Sequence, residues 1–244
     1  NNKILFMNMK LYSTLASYYS ILNPSGIYDA EVWHYLSVIQ ERTDSLRRIL
    51  ELGSGVGAMA ESFPSNFDVT LVDISEKMLN ESRLRNPQKE HVCCDIRHIS
   101  MSHIKEKVDA ILLHDAVMYL TTEEDLYQTF VSTKNCLREG GVFFIVPDVY
   151  LEDFEEHFLA GGEDGFIDST PVSVRLTEWH WRSSEQINQV FVEFSMLVRH
   201  GEQAVQNIHE THTLGLFSRE QYAHNLQKAG FSRIEFREDG ILVQ

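Results

Sequence analysis

The stretch Ile49-Leu50-Glu51-Leu52-Gly53-Ser54-Gly55-Val56-Gly57 limits the architecture of this chain more than any other. A short apolar run that passes directly into alternating glycines and then into a helical segment is a strand, a tight turn and a helix start. A ligand can lie close against the main chain of such a turn. Asp73 ends the next apolar run, Leu71-Val72-Asp73, 20 residues after Gly53. In doubly wound sheets an acid at that distance, at the carboxyl end of the second strand, accepts hydrogen bonds from ribose hydroxyls. Further apolar runs at 49–52, 69–72, 91–94, 108–113 and 142–146, with helical segments between them, read as buried strands of a parallel sheet, so the fold class is α/β.

Glycine spacing alone leaves the ligand open, because Gly53-x-Gly55-x-x-Ala58 also suits NAD. Glu51 separates the two: a carboxylate two residues before the first glycine repels a diphosphate and favours a cationic nucleoside such as S-adenosylmethionine. Asp95 follows the third strand, where it can accept from an adenine amino group while Ile74 and Ile96 cover the ring faces.

Elsewhere the chain reads as additions to that core. Thr122 to Leu137 is a helix with an acidic, capped start and a stop at Gly140-Gly141, and Ser218 opens another that runs to Ala229 before Gly230. Residues 172–182, 188–199 and 203–214 alternate in polarity as an antiparallel meander does, with Val190, Val192, Phe194, Met196 and Val198 on one face. The expected organisation is a single domain: an N-terminal helical cap over 1–44, a core over 45–148 and 218–244, and an antiparallel lid over 149–217.

Composition excludes other classes. Acids outnumber bases 36 to 21, a formal charge of −15, and no basic run exceeds Arg47-Arg48, which argues against a nucleic-acid binder. Cys93, Cys94 and Cys136 contain no CxxC pair, and His209 and His212 diverge on a strand, so neither a disulfide framework nor a metal site is expected. No apolar run approaches a membrane span, and Asn1-Asn2-Lys3-Ile4-Leu5-Phe6 lacks a signal-peptide core. The expectation is a soluble cytoplasmic protein, with a homodimer left open.

Glu51-Leu-Gly53-Ser-Gly55-Val-Gly57, Val-Asp73-Ile-Ser, Met78-Leu, Cys-Asp95-Ile and Asp109-Ala-Ile-Leu-Leu-His114, in this order, resemble the motifs of class I S-adenosylmethionine-dependent methyltransferases across residues 45–148. The resemblance implies a seven-stranded, mostly parallel Rossmann-like sheet with an antiparallel last strand. It implies that Glu51, Gly53, Gly55 and Gly57 hold the methionine end of S-adenosyl-L-methionine, that Asp73 holds the ribose, and that Asp95, Ile96 and Met78 hold the adenine. His114 is expected in the same cofactor site.

His114-Asp-Ala-Val-Met-Tyr119 lacks the Asn/Asp-Pro-Pro-aromatic pattern of base methylation, so the acceptor is expected to be a small molecule. The second half is similar to nucleotide-activated amino-sugar N,N-dimethyltransferases, through Val190-Phe-Val-Glu-Phe, His209-Glu-Thr-His212 to Tyr222 and the Leu11-Tyr12 to Tyr19 helix. In that subgroup a tyrosine and a histidine flank the amine; here the matches are Tyr12 and Tyr119, so a histidine base is in doubt at that position. The subgroup's Glu-Pro-Trp is replaced by Val146-Pro147-Asp148. Tyr119 and His212 are the expected catalytic residues, and Tyr12, Tyr19, His180 and Trp181 the expected acceptor contacts, although Trp181 and His180 fall on opposite faces of one strand. The rival readings are an NAD-dependent oxidoreductase and a non-enzymatic methyl-donor-binding protein.

Overall fold

The computed structural model describes residues 9–43 and 45–244. The opening segment examined for a signal core, residues 1–8 of the expected cap, and its last residue, 44, lie outside the described residues.

The central strand is β1 (Arg48–Leu52), and its Ile49, Leu50 and Leu52 are almost wholly buried. It pairs in parallel with β2 (Asp68–Asp73) on one side and β4 (Val108–His114) on the other, while β3 (Glu90–Cys93) extends the first side. Beyond β4 lie β5 (Leu137–Val146), then β11 (Gly240–Val243), then β10 (Ile234–Arg237). The order β10-β11-β5-β4-β1-β2-β3 has seven strands, and β11 runs antiparallel to both neighbours, as expected. Chain order reverses between β1 and β4, so the carboxyl ends of these strands open a crevice there.

Alternation along the strands sends side chains to two helical layers. Ile49, Leu71, Ala110, Leu112 and Phe144 pack towards α2 (Asp29–Gln40), through Val32, Leu36 and Ile39. Leu50, Leu52, Val72, Ile111, Leu113 and Phe143 pack towards α5 (Glu123–Cys136) and α6 (Arg219–Lys228), through Phe130, Tyr222 and Leu226. Thr122 caps α5 by accepting from the Asp125 N–H, and Ser218 with Gln221 forms a complete capping box on α6, both as the residue order predicts. The glycine stop expected after α5 is not there. The helix ends at Cys136 and Leu137 is already extended, so Gly140 and Gly141 sit inside β5, where the ladder with β4 slips register.

The lid is a separate antiparallel sheet of four strands, not three: β6 (His157–Ile167), β7 (Thr170–Trp181), β8 (Gln189–His200) and β9 (Gln206–Gly215). Sequence patterning missed β6 because Gly161, Gly162 and Gly165 stand among acids on an edge strand with almost no buried residue, and no apolar alternation marks it. The expected apolar face of β8 is real: Val190, Val192, Phe194, Met196 and Val198 join the core cluster that covers the main sheet. The N-terminal helix is displaced from its expected place. Residues 11–15 form turns, and α1 spans Ala16–Leu22, packed on β6.

Candidate functional site

A cavity opens at the carboxyl ends of β1, β2 and β4. Glu51, Gly55, Asp73 and Met78 line it together with Tyr12, Tyr19 and Tyr119. Gly53, Ile74, Asp95, Ile96 and His114 line it as well. The turn after β1 is glycine-built for two different reasons. Gly53 and Gly55 both have positive φ, at 73° and 54°. A Cβ on Gly53 would come 2.1 Å from the Ala116 Cβ, whereas one on Gly55 would meet nothing nearer than Met78 Cε at 3.9 Å. Gly53 therefore allows the turn to pack, and Gly55 leaves room in the cavity. Gly57 faces away, against Ser82 and Asn86 of the segment around α4 (Glu76–Arg85), so its part is packing.

The turn offers few open amides. The N–H groups of Gly53 and Ser54 donate to Val72 O, that of Gly57 donates to Ser54 O, and that of Gly55 donates to Asp73 Oδ2 at 2.8 Å. Four amides of the turn are thus committed internally, and the cradle that a diphosphate needs is largely spent. Asp73 also accepts from the Ser75 N–H at 2.7 Å, which fixes its carboxyl at the cavity wall with lone pairs to spare. Burial pushes the Asp73 carboxyl up to about 6, against the backbone hydrogen bonds that pull it down.

Glu51 is 4% exposed, and its Oε2 has no hydrogen-bond partner in the structure. Burial pushes its carboxyl up to about 8, with Lys89 opposing and Asp73 adding to the rise. This corrects the charge argument made from sequence. Without a cation beside it Glu51 holds a proton at neutral pH, so its preference for a cationic ligand comes from the ionisation that such a ligand would drive. An orphaned buried carboxyl oxygen beside a glycine turn fits the ammonium of an amino-acid moiety.

Asp95, also in the cavity lining, is gripped by Arg97, whose Nε lies 2.9 Å from Oδ1 and whose Nη2 lies 2.5 Å from Oδ2. Arg97 also reaches Asp125 at 2.7 Å. Burial raises the Asp95 carboxyl, but the Arg97 contacts outweigh it and the net direction is down. The expected adenine acceptor is therefore an ion pair with limited spare capacity. Nothing in the sequence singled out Arg97.

His114 ends β4 with its Nε2 3.0 Å from Asp115 Oδ1, its ring edge-on to Tyr28. Asp115 has φ +47°, a left-handed backbone rare outside glycine, and hydrogen-bonds Asp148. Burial raises both carboxyls; the hydrogen bond and charge of Asp115 push Asp148 up further, while the same hydrogen bond pulls Asp115 down and Glu31 adds to its rise. Sequence reasoning named Asp148 only as a departure from a motif and did not single out Asp115.

Three tyrosines line the same cavity. Tyr12 meets Tyr19 and Tyr119 edge to face at 5.4 and 5.5 Å between ring centroids. His212 lies behind Tyr119, 2.9 Å from its hydroxyl; it is fully buried and does not line the cavity. His180 faces inward on β7, 3.1 Å from Glu178, on the side that carries Val172 and Val174 into the core. Trp181 does not belong with these residues. Strand alternation turns it to the outer face, where it stacks on Phe191 at 4.8 Å, so the expectation that it contacts the acceptor is corrected.

Residues 50–145 match the family model described as a methyltransferase domain. The dTDP-3-amino-3,4,6-trideoxy-α-D-glucopyranose N,N-dimethyltransferase of Streptomyces venezuelae is 26% identical over 217 residues, 87% of this chain and 86% of the relative. The crystal structure of Streptomyces venezuelae DesVI superposes with a TM-score of 0.79 at 24% identity, covering 93% of this chain and 96% of that one. CalS10, an amino pentose methyltransferase from Micromonospora echinaspora solved with S-adenosylmethionine bound, gives 0.72 at 22% identity, covering 95% of each chain. No comparison supports an NAD enzyme. Residues 50–145 therefore carry a methyltransferase domain, and the chain as a whole shares its fold with solved S-adenosylmethionine-dependent methyltransferases.

Proposed function

We propose that this methyltransferase acts on a small-molecule amine of the nucleotide-linked amino-sugar class. The observation that carries the reading is a single cavity lined both by Glu51, whose Oε2 has no hydrogen-bond partner, and by the tyrosines Tyr12, Tyr19 and Tyr119. Glu51 and the turn at Gly53 and Gly55 would hold the amino-acid end of the donor, Asp73 the ribose hydroxyls, and Ile74, Ile96 and Met78 the faces of the adenine. The donor supplies a methyl group already activated by its sulfonium, so the protein's task is alignment and exclusion of water. Tyr12, Tyr19 and Tyr119 would position the acceptor, with residues 149–217 as the lid over it.

An amine suits these tyrosines. Asp115, Asp148 and Glu178 surround the tyrosines with acid, an environment that attracts an ammonium group. The relative from Streptomyces venezuelae is named for such an amine acceptor, which makes dTDP-3-amino-3,4,6-trideoxy-α-D-glucopyranose the first probe. Methyl transfer to that probe, with none to its 3-hydroxy counterpart, is the expected result; transfer to the hydroxyl compound alone would overturn the amine reading. Calorimetry with S-adenosylmethionine, S-adenosylhomocysteine and NADH tests the donor end independently, and only the first two should bind.

A further inference from the structure

Behind the acceptor wall runs a chain of hydrogen bonds that donor binding does not use. Tyr12 Oη lies 2.7 Å from Tyr119 Oη, Tyr119 Oη 2.9 Å from His212 Nδ1, and His212 Nε2 2.5 Å from Glu210 Oε1. Glu210 also accepts from the backbone N–H of Lys10 at 2.6 Å and of Leu11 at 3.3 Å. A carboxylate accepts and does not donate, so His212 Nε2 carries a hydrogen. In the neutral ring Nδ1 is then the acceptor. Tyr119 accordingly donates to Nδ1 and Tyr12 donates to Tyr119, so every hydrogen in the chain is oriented away from the cavity and towards Glu210.

We infer that His212, held by Glu210, is a positioning residue that takes up, through the Tyr12–Tyr119 pair, the proton released when the acceptor amine is methylated. The inference rests on the amine reading above. As the acceptor nitrogen forms its bond to the methyl carbon, the carbon–sulfur bond breaks with its electron pair left on sulfur, and the nitrogen becomes an ammonium. Its N–H proton passes to the Tyr12 oxygen, the Tyr12 hydroxyl proton to the Tyr119 oxygen and the Tyr119 hydroxyl proton to His212 Nδ1. The products are a neutral methylated amine, a thioether and an imidazolium paired with Glu210.

Neither tyrosine serves alone. Burial holds the hydroxyls of Tyr12 and Tyr119 well above the usual phenol range, so no tyrosinate stands ready near neutral pH. Burial lowers His212, so the ring is neutral and able to accept. The groups facing it are Glu210 on its own strand, Glu178 from β7, Tyr119 from the turn after β4 and Tyr12 from the N-terminal segment. Phe194 of β8 closes the remaining side at 4.6 Å between rings. An imidazolium formed there has carboxylates on two strands to balance it.

The test combines ring ¹⁵N NMR of His212, with S-adenosylhomocysteine bound, and pH–rate profiles with the amine probe. Wild type should show the hydrogen on Nε2, and Tyr119→Phe should shift only the Nδ1 signal. His212→Gln should lose about 100-fold in kcat at unchanged KM while binding S-adenosylhomocysteine within about twofold of wild type, since it touches no donor atom. Glu210→Gln should move the acid limb of the profile to lower pH, because Glu210 raises the imidazole's basicity. A hydrogen on Nδ1, or a His212→Gln variant with the wild-type rate and profile, would overturn the relay. If wild type transfers no methyl to the amine probe, the amine reading alone falls, and the tautomer still decides the relay.

Discussion

With Glu51 receiving the cationic end of the donor, as proposed, donor binding is a proton-release reaction. Its carboxyl sits at about 8 in the folded chain against an ordinary 4.5, chiefly through burial, and a cation beside it requires the ionised form. Below pH 8 the protein must lose that proton when donor binds, so apparent affinity drops about tenfold per pH unit. Between pH 6 and 7.5 the dissociation constant of S-adenosylhomocysteine should fall about 25-fold, or about 2 kcal/mol. Asp73, at about 6, adds to the slope only at the acid end. Calorimetry at pH 7 in two buffers of different protonation enthalpy should show about 0.9 proton released per ligand bound. Glu51→Gln should flatten the curve above pH 7 and leave only the break near pH 6. An affinity constant from pH 6 to 8 in wild type, or the same slope in Glu51→Gln, would refute the reasoning.

The same buried carboxyl has a cost in stability. An acid raised on folding favours the folded state below its unfolded value and loses that advantage as pH rises towards 8, so Glu51→Gln should gain up to about 3 kcal/mol at pH 7 and nothing near pH 4.5, read by urea unfolding. Asp73→Ala should weaken donor binding by roughly 1.5 to 3 kcal/mol in calorimetry, the scale of hydrogen bonds to a charged group; unchanged affinity removes its assignment. Gly53→Ala should unfold at markedly lower temperature, since its Cβ meets Ala116, whereas Gly55→Ala should carry only left-handed strain of about 1 to 2 kcal/mol. His180→Ala should raise the acceptor KM and Trp181→Ala should leave it unchanged, because only the first side chain faces inward.

That Glu51, Gly53, Gly55, Asp73 and Asp95 gather in one cavity was legible in the sequence because the determinants are local. Glu51, the glycines, Asp73 and Asp95 follow successive strands of one sheet, and strand–turn spacing alone brings them to one edge. The acceptor end depends on how two sheets meet. Tyr119 and His212 stand 93 residues apart, and only the lid's register places Glu210 and His212 on its inner face. Arg97 was hidden because its partners Asp95 and Asp125 come from separate turns. The Asp115–Asp148 pair needs the ends of β4 and β5 side by side, which no local pattern announces. Register also decided between Trp181 and His180, which residue order left on opposite faces. The edge strand β6 escaped because an exposed, glycine-containing strand has no burial to impose a pattern.

The residues proposed to hold the methyl donor come chiefly from one continuous stretch, 51–97, while the surfaces proposed for the acceptor come from turns near the start of the chain and from a sheet inserted between β5 and α6. The two halves of the reaction are therefore encoded in separable pieces of sequence. Exchanging the inserted sheet and the opening turns together between relatives should transplant acceptor choice while the core keeps its grip on the donor. Exchanging the sheet alone should fail, because the Glu210 carboxylate anchors the opening turns by their backbone.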